Sequence, residues 1–285
     1  MKRKALVIGV NQYKGGIPCP QHSLKDAKDI AQLLRTIGQF DQVQIFLNQF
    51  EDQDEGQKNP YEPDQLKILI EQLFNPQDGD TETALFYFSG NGAEGKETQK
   101  GDLLLTDFPN PLNKSSSEHT SEPPSRSISL TWLHDQLEKS PVKQQIVWLD
   151  SDFSNLFIDL FSQASSEVKY DRCFIAANYS YAGETSTHGV LTDALLPCLN
   201  PVKQIKNLIT NYTLEDALIN AFNWQKNLIK NIGNPILLTG RNVRTQKLWN
   251  DLAEGNDLLN LKSEADALAD MLLLRDLELT GGQAG

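Results

Sequence analysis

Two stretches decide how this chain folds: Ala84–Gly95, ALFYFSGNGAEG, and its partner Ile146–Asn155, IVWLDSDFSN. Each is an apolar, β-rich run that stops abruptly in a small, polar, turn-forming cluster. Continuous apolar character points to strands buried on both faces, as in a parallel sheet. On such sheets, ligands bind beyond the carboxyl ends of the strands, where Gly90–Gly92 and Asp150–Asn155 fall. Yet the first cluster carries an asparagine and the second carries aspartates, so two loops built like an active site hold neither a thiol nor an imidazole.

Outward from these two runs, strand and helix patterns alternate. Lys4–Val10, Val43–Leu47, Thr83–Phe88, Gln145–Leu149 and Cys173–Ala177 read as strands, and Pro235–Leu238 as a last short one. Leu103–Leu105 reads as the return of a hairpin. Helical spacing covers Ser23–Ile37, with Leu24, Ala27, Ile30, Leu33, Leu34 and Ile37 on one face, and Asp64–Phe74, whose start is marked by Pro63. It also covers Ser129–Glu138, with Ser129 as its cap, Gly189–Leu199, and a long amphipathic stretch over Thr213–Ile229. This order predicts an α/β domain: a central, mainly parallel sheet of six strands with helices on both faces. Asn110–Ser127 and Glu51–Pro63 read as surface loops. The domain is expected to span residues 1–240, with 241–285 as a C-terminal helical extension that includes the amphipathic run Leu261–Leu279.

Composition narrows the function. The 285 residues carry 26 Lys and Arg against 38 Asp and Glu, a net charge of -12, which argues against nucleic acid as a partner. Cys19, Cys173 and Cys198 have no metal spacing and leave one thiol over in any disulfide pairing, so a reducing cytoplasm is expected, with no metal and no cofactor. The start, MKRKALVIGVNQY, has the basic end and apolar run of a signal peptide, but the run stops at Asn11 without a small-residue cleavage site, and it reads as a buried first strand. No stretch approaches the ~20 apolar residues of a membrane span.

At this point the chain resembles a known family, the caspase-like cysteine peptidases (peptidase C14-like), nearest to the metacaspase and orthocaspase branch. The resemblance runs from about Lys4 to Gly240. It rests on ALVIGVNQY, SLKDAKDIAQLL, LFYFSGNG, IVWLDSDFSN and HGVLTDALL, in that order and spacing. It implies a central, mainly parallel sheet between helices, in agreement with the alternation. In active members the strand ending S-G-x-G carries a histidine at x, and the later loop reads D-x-C-H-S-G. By position the histidine is Asn91 here, the nucleophilic cysteine is Asp152, the residue after it is Phe153 and the closing glycine is Asn155. The resemblance also implies an acidic pocket that accepts Arg or Lys of a substrate, lined by Asp26 of the first helix and Asp150, with Ser151 beside them. Active relatives mature by cutting a basic linker after this loop. Here NLFIDLFSQASSEVKYDR is short and nearly free of basic residues, and Leu156, Phe157, Leu160 and Phe161 follow a helical period.

The chemistry can be stated without the family. Cysteine peptidase turnover needs a thiolate to attack and an imidazole to shuttle a proton near pH 7. Asparagine does not titrate there, and an aspartate next to Asp150 adds negative charge where an oxyanion would form. Loss of a nucleophile alone costs about a million-fold in a well-studied serine protease, roughly 8 kcal/mol. Ser151 neighbours the nucleophile position, but successive side chains at a strand end point to opposite sides, and no base is at hand. His22, His119, His134 and His188 fall outside the two loops. The expectation is a non-catalytic caspase homologue, a binding or regulatory module for a basic peptide, a protein or an active relative. The alternative is an Arg/Lys-selective endopeptidase with a displaced nucleophile.

Overall fold

In the computed structural model of the chain, residues 2–13, 20–48, 63–94, 101–105, 127–161, 169–177, 187–201 and 208–240 are described. The expected loop over Glu51–Pro63 as far as residue 62, most of that over Asn110–Ser127, and the expected helical extension over 241–285 lie outside the described residues, and Pro63 itself begins a helix.

Apolar runs rich in β-branched and aromatic residues make the strands. They are β1 (Lys2–Val10), β2 (Gln42–Asn48), β3 (Thr81–Ser89), β7 (Gln144–Asp150), β8 (Asp171–Ala176) and β10 (Ile229–Ile232). These form one six-stranded sheet in the order β10-β8-β7-β3-β1-β2. The first five run parallel and β10 closes one edge antiparallel to β8. The amphipathic segments form α1 (Ser23–Thr36), α2 (Pro63–Phe74), α3 (Leu130–Lys139), α4 (Asn155–Leu160), α5 (Val190–Cys198) and α6 (Asn211–Phe222).

The two-residue period of the strands divides the core into two layers. Val7, Leu85, Tyr87, Ile146, Trp148, Cys173 and Ile175 face α1, α5 and α6, whereas Leu6, Ile8, Phe86, Phe88, Val147, Leu149 and Phe174 face α2, α3 and α4. Burial on both sides is why these strands read as unbroken apolar runs rather than alternating ones. Leu156–Phe161 behaves as its period predicts: Phe157, Ile158 and Phe161 are buried, and α4 packs beside β8.

The structure departs from the sequence reading in four places. The stretch Thr213–Ile229 is not one helix. Thr210 caps α6, donating its amide to Thr213 Oγ1 at 2.9 Å and accepting from the Thr213 amide at 3.3 Å, so Thr213 lies inside the helix. Asn223 then takes the left-handed conformation at φ 52 and ends the helix, and Ile229 begins the sixth strand. The apolar period ran on through Leu228 and concealed this stop. The last strand, β11 (Leu237–Gly240), pairs with the three-residue β9 (Leu208–Thr210) outside the main sheet. The hairpin around Leu103 is part of a third sheet of β4 (Gly92–Glu94), β5 (Gly101–Leu104) and β6 (Ser127–Ser129), so Ser127 belongs to a strand rather than to the loop before it. Ser129 is the N-cap residue of α3, but its side chain makes no capping bond.

Arg3 ties the sheet's far end to this periphery. Its guanidinium donates to the carbonyls of Gly38 at 2.8 Å, Leu237 at 2.6 Å and Leu238 at 3.3 Å, and stacks over Phe40. Burial lowers its pKa to about 10, with Asp41 and Glu82 opposing. Replacing it with methionine strands three carbonyls and is expected to cost about 2–4 kcal/mol in denaturant unfolding. Lys2→Met, which breaks only exposed ion pairs to Asp78 and Asp80, is expected to cost less than about 1 kcal/mol. Equal costs would show that the Arg3 clasp contributes nothing.

Candidate functional site

β3 and β7 are neighbours in register, with Ser89 opposite Asp150. Their carboxyl ends therefore release the two polar loops side by side, and the Gly90 amide donates to the Asp150 carbonyl at 3.3 Å. The first loop is fixed from below. The Asn91 amide donates to Tyr13 Oη at 2.8 Å, and the Asn91 carbonyl accepts from Leu104 at 2.9 Å. The second loop leans on it so closely that a Cβ at Gly92 would overlap the carbonyl oxygen of Asp152. Glycine at 92 is thus the residue that lets the loops touch. Phe153, next along, is half exposed and sits at φ 57, a conformation that bulky residues avoid. The turn closes through Ser154, whose buried hydroxyl lies 2.6 Å from the Ala177 carbonyl and 2.8 Å from that of Ser151.

Beneath these loops, Asp26 and Asp150 come together. Asp26 projects from α1 and is fully buried; Asp150 ends β7 at 2% exposure. Ser89 Oγ donates to Asp26 at 3.0 Å, and the Gly189 amide donates to both Asp26 oxygens at 3.1 and 3.2 Å. Asp150 accepts from the amides of Leu191 and Thr192, at 3.2 and 2.9 Å, and from Thr192 Oγ1 at 2.6 Å. The phenol of Tyr87 lies 2.5 Å from Thr192 Oγ1. Both carboxyls thus face the amino-terminal turn of α5, whose orphan amides and dipole suit negative charge.

The favourable amides do not cancel the cost of burial. Burial, and then the neighbouring Asp150, push Asp26 up to about 8, against the pull of Gly189, Ser89 and Lys25. Burial raises Asp150 as well, opposed by Thr192 and Leu191. The Tyr87 phenol is raised well above its ordinary value by burial and then by the two acids. At neutral pH this pair holds a proton.

Outside it, the residues just before α5 are fastened to α1. His188 Nε2 lies 2.8 Å from Asp29 Oδ2 and 2.6 Å from Lys25 Nζ, and Lys25 also pairs with Asp29. Partial burial pushes Asp29 up, but the bonds from His188 and Lys25 prevail and hold it below the usual carboxylate range.

The structure thus joins Asp26 to Asp150, and Asn91's loop to that of Asp152. Ser151 is not bonded to the acid pair: its hydroxyl is buried and, among the described residues, has no hydrogen-bond partner. Asp152 is half-buried at the surface of the loop. Sequence reasoning missed Gly189, Thr192 and Tyr87 as partners of the acids. The signal was present in HGVLTDALL, where a glycine precedes a helix start. Of the cysteines, Cys173 and Cys198 are buried free thiols, pushed by burial up to about 12 and about 11. Cys173 pairs with Ile146, four residues and roughly 13 Å below the end of β7. Cys19 and His119 lie outside the described residues. The ring of His134 rests against Phe161. Among the described residues no cluster of ligands suits a metal ion, and no helix is long and apolar enough to cross a membrane.

Comparison with known proteins agrees with this architecture. The family model described as the caspase domain matches residues 2–211, well over half of the chain. Among solved structures, the chain is similar to the Drosophila initiator caspase Dronc, at 11% identity over 68% of this chain with a TM-score of 0.39. The alignment spans 62% of that caspase, less than two thirds of its length. It is also similar to pro-sf-caspase-1, at 11% identity over 84% of this chain and 92% of that one, with a TM-score of 0.46. No curated protein matches.

The raised acid has a signed consequence for stability. Unfolded, Asp26 loses its proton near pH 3.9; folded, it keeps it to about 8. Between these values the folded state binds more protons, so this contribution is complete below about pH 4 and is lost as pH rises towards about 8, by at most ~1.4 kcal/mol per unit. Asp26→Asn is expected to flatten that slope, so that the variant gains on wild type in melting curves as pH increases. Parallel curves for the two proteins would contradict the assignment. Thr192→Val leaves Asp150 and Tyr87 each short of a partner and is expected to cost about 1–3 kcal/mol.

Proposed function

The chain belongs to the caspase-domain family, and we propose that it is a member that binds rather than cleaves. The observation that carries this reading is the content of the two loops that β3 and β7 bring into contact. Where the family's motifs carry histidine and cysteine, this chain has Asn91 and Asp152. A carboxamide cannot act as the base, and a carboxylate is a poor nucleophile towards an amide. The described residues supply no substitute pair. Cys173 and Cys198 are sealed in the core, and Ser151 Oγ has no partner to activate it. Among the described histidines, His188 is engaged by Asp29 and Lys25, His134 lies on α3 against Phe161, and His22 is the N-cap residue of α1.

The ligand class follows from what is retained. Asp26 and Asp150 occupy the positions that, in basic-specific relatives, surround the substrate's first side chain. Two carboxyl groups around one site suit a guanidinium or ammonium group. Here they are covered by the first turn of α5, so a cationic side chain reaches them only if that turn yields. The proposed partner is accordingly a basic peptide or a basic segment of a protein, in a reducing, cytoplasmic setting.

Reporter peptides with Arg or Lys before the scissile bond test the first part. No turnover is expected with or without calcium, and neither thiol alkylation nor Ser151→Ala should alter that. Turnover abolished by Ser151→Ala would overturn the non-catalytic reading. An Arg-bearing peptide titrated into wild type and Asp150→Asn tests the second part: the variant is expected to bind at least about tenfold more weakly, the loss of one charge-assisted contact. Equal affinity would place the binding surface elsewhere.

A further inference from the structure

The first turn of α5 is fastened to the end of the sheet through the two acids. Gly189 donates to Asp26, Leu191 and Thr192 donate to Asp150, and Thr192 adds its hydroxyl. The fit leaves no slack. A Cβ at Gly189 would lie 3.0 Å from Asp26 Oδ2 and 2.8 Å from Asp150 Cγ, and would overlap Asp150 Oδ2. Glycine at this position lets the chain pass between the two carboxyl groups. No ion pair reaches either acid among the described residues; hydrogen-bond dipoles compensate their charge, with Lys25 and His188 acting from a distance. With one proton on the pair, dipoles suffice. With none, two negative charges repel in a space closed to water.

We infer that the turn Gly189–Thr192 is a proton-controlled stopper over the Asp26–Asp150 pair. While the pair keeps a proton the turn stays seated. When that proton leaves to solvent, the turn lifts, water reaches both carboxylates and an anionic pocket opens. A guanidinium or ammonium group entering the pocket then supplies the positive charge that the proton had supplied. The ligand rests on the basic-peptide reading above; the movement does not.

Other charged groups around the pair bias the balance without replacing it. From α1, Lys25 favours the ionised form of Asp26, and Asp29 is neutralised by its bonds to Lys25 and His188. His188, just before α5, favours ionised Asp150; its Nδ1 is 3.8 Å from Asp193 on the helix. From β3, Tyr87 stays protonated next to both acids. The His188–Asp29 contact also tethers the turn from outside, so it lifts as a hinged cover rather than coming free.

Amide hydrogen exchange across residues 187–195 of the full chain, corrected for the intrinsic rate, reads the movement directly. In wild type, protection of the Gly189, Leu191 and Thr192 amides is expected to fall by up to about tenfold per unit as pH rises from the ordinary carboxylate value near 4 towards about 8, as one released proton requires, and to level off above that. Asp26→Asn, which keeps the shape but cannot ionise, should hold its protection over the whole range. Gly189→Ala should lose it at every pH while the protein's melting transition persists. Constant protection in wild type, or the same fall in Asp26→Asn, would overturn the inference. Acetyl-arginine-methylamide separates the ligand from the movement. If it fails to bind at about pH 9 while exchange still switches, the stopper stands and the basic-ligand reading falls.

Discussion

Two carboxyl groups that share the space beneath one helix turn are the constraint from which the rest of the site follows. Asp26 arrives on α1, Asp150 at the end of the central strand β7, and both are buried against the start of α5. Placing them there is unfavourable unless amides satisfy them and a proton relieves their repulsion. The chain meets both needs: α5 presents its free amides, Thr192 and Ser89 add hydroxyls, and the pair stays protonated at neutral pH. α5 and α1 are thereby fixed to the sheet end at one point.

The caspase-domain framework of this chain rests on the strand order, the register of Ser89 with Asp150, the touching loops and the buried hydroxyl of Ser154. These features are maintained by packing and backbone hydrogen bonds, which do not need a thiol or an imidazole. Asn91 and Asp152 fit within the same backbone, and Gly92 keeps the two loops in contact. The sheet determines where a site can be, and the loop residues determine what it can do.

Much of this was legible in the sequence because burial on both faces leaves a plain signature. ALFYFSG and IVWLDS can hardly be anything but central strands, and the period of SLKDAKDIAQLL puts Ala27, Ile30, Leu33 and Leu34 on one buried face. Less legible was whatever depended on tertiary contact. The end of α6 is set by Asn223 turning left-handed, which the apolar period through Leu228 hid. The three-residue strands β4, β6 and β9 are too short to carry a period. The burial of the acids was invisible for a similar reason. An Asp on a helix looks solvated until the glycine of a distant segment, 163 residues along the chain, is found hydrogen-bonded to it. Ser151 was grouped with the acids by adjacency, whereas its buried hydroxyl makes no hydrogen bond to either.

The most direct measurement is the titration of Asp26 itself, followed by the carboxyl carbon resonance of the folded protein, with Asp26→Asn to identify the signal. A proton held by buried Asp26 predicts a midpoint near 8, far above that of a solvated aspartate, with a coupled response at Asp150. A midpoint close to the ordinary value of about 4 would mean that the carboxyl is ionised and solvated under α5, and would contradict the account at its base.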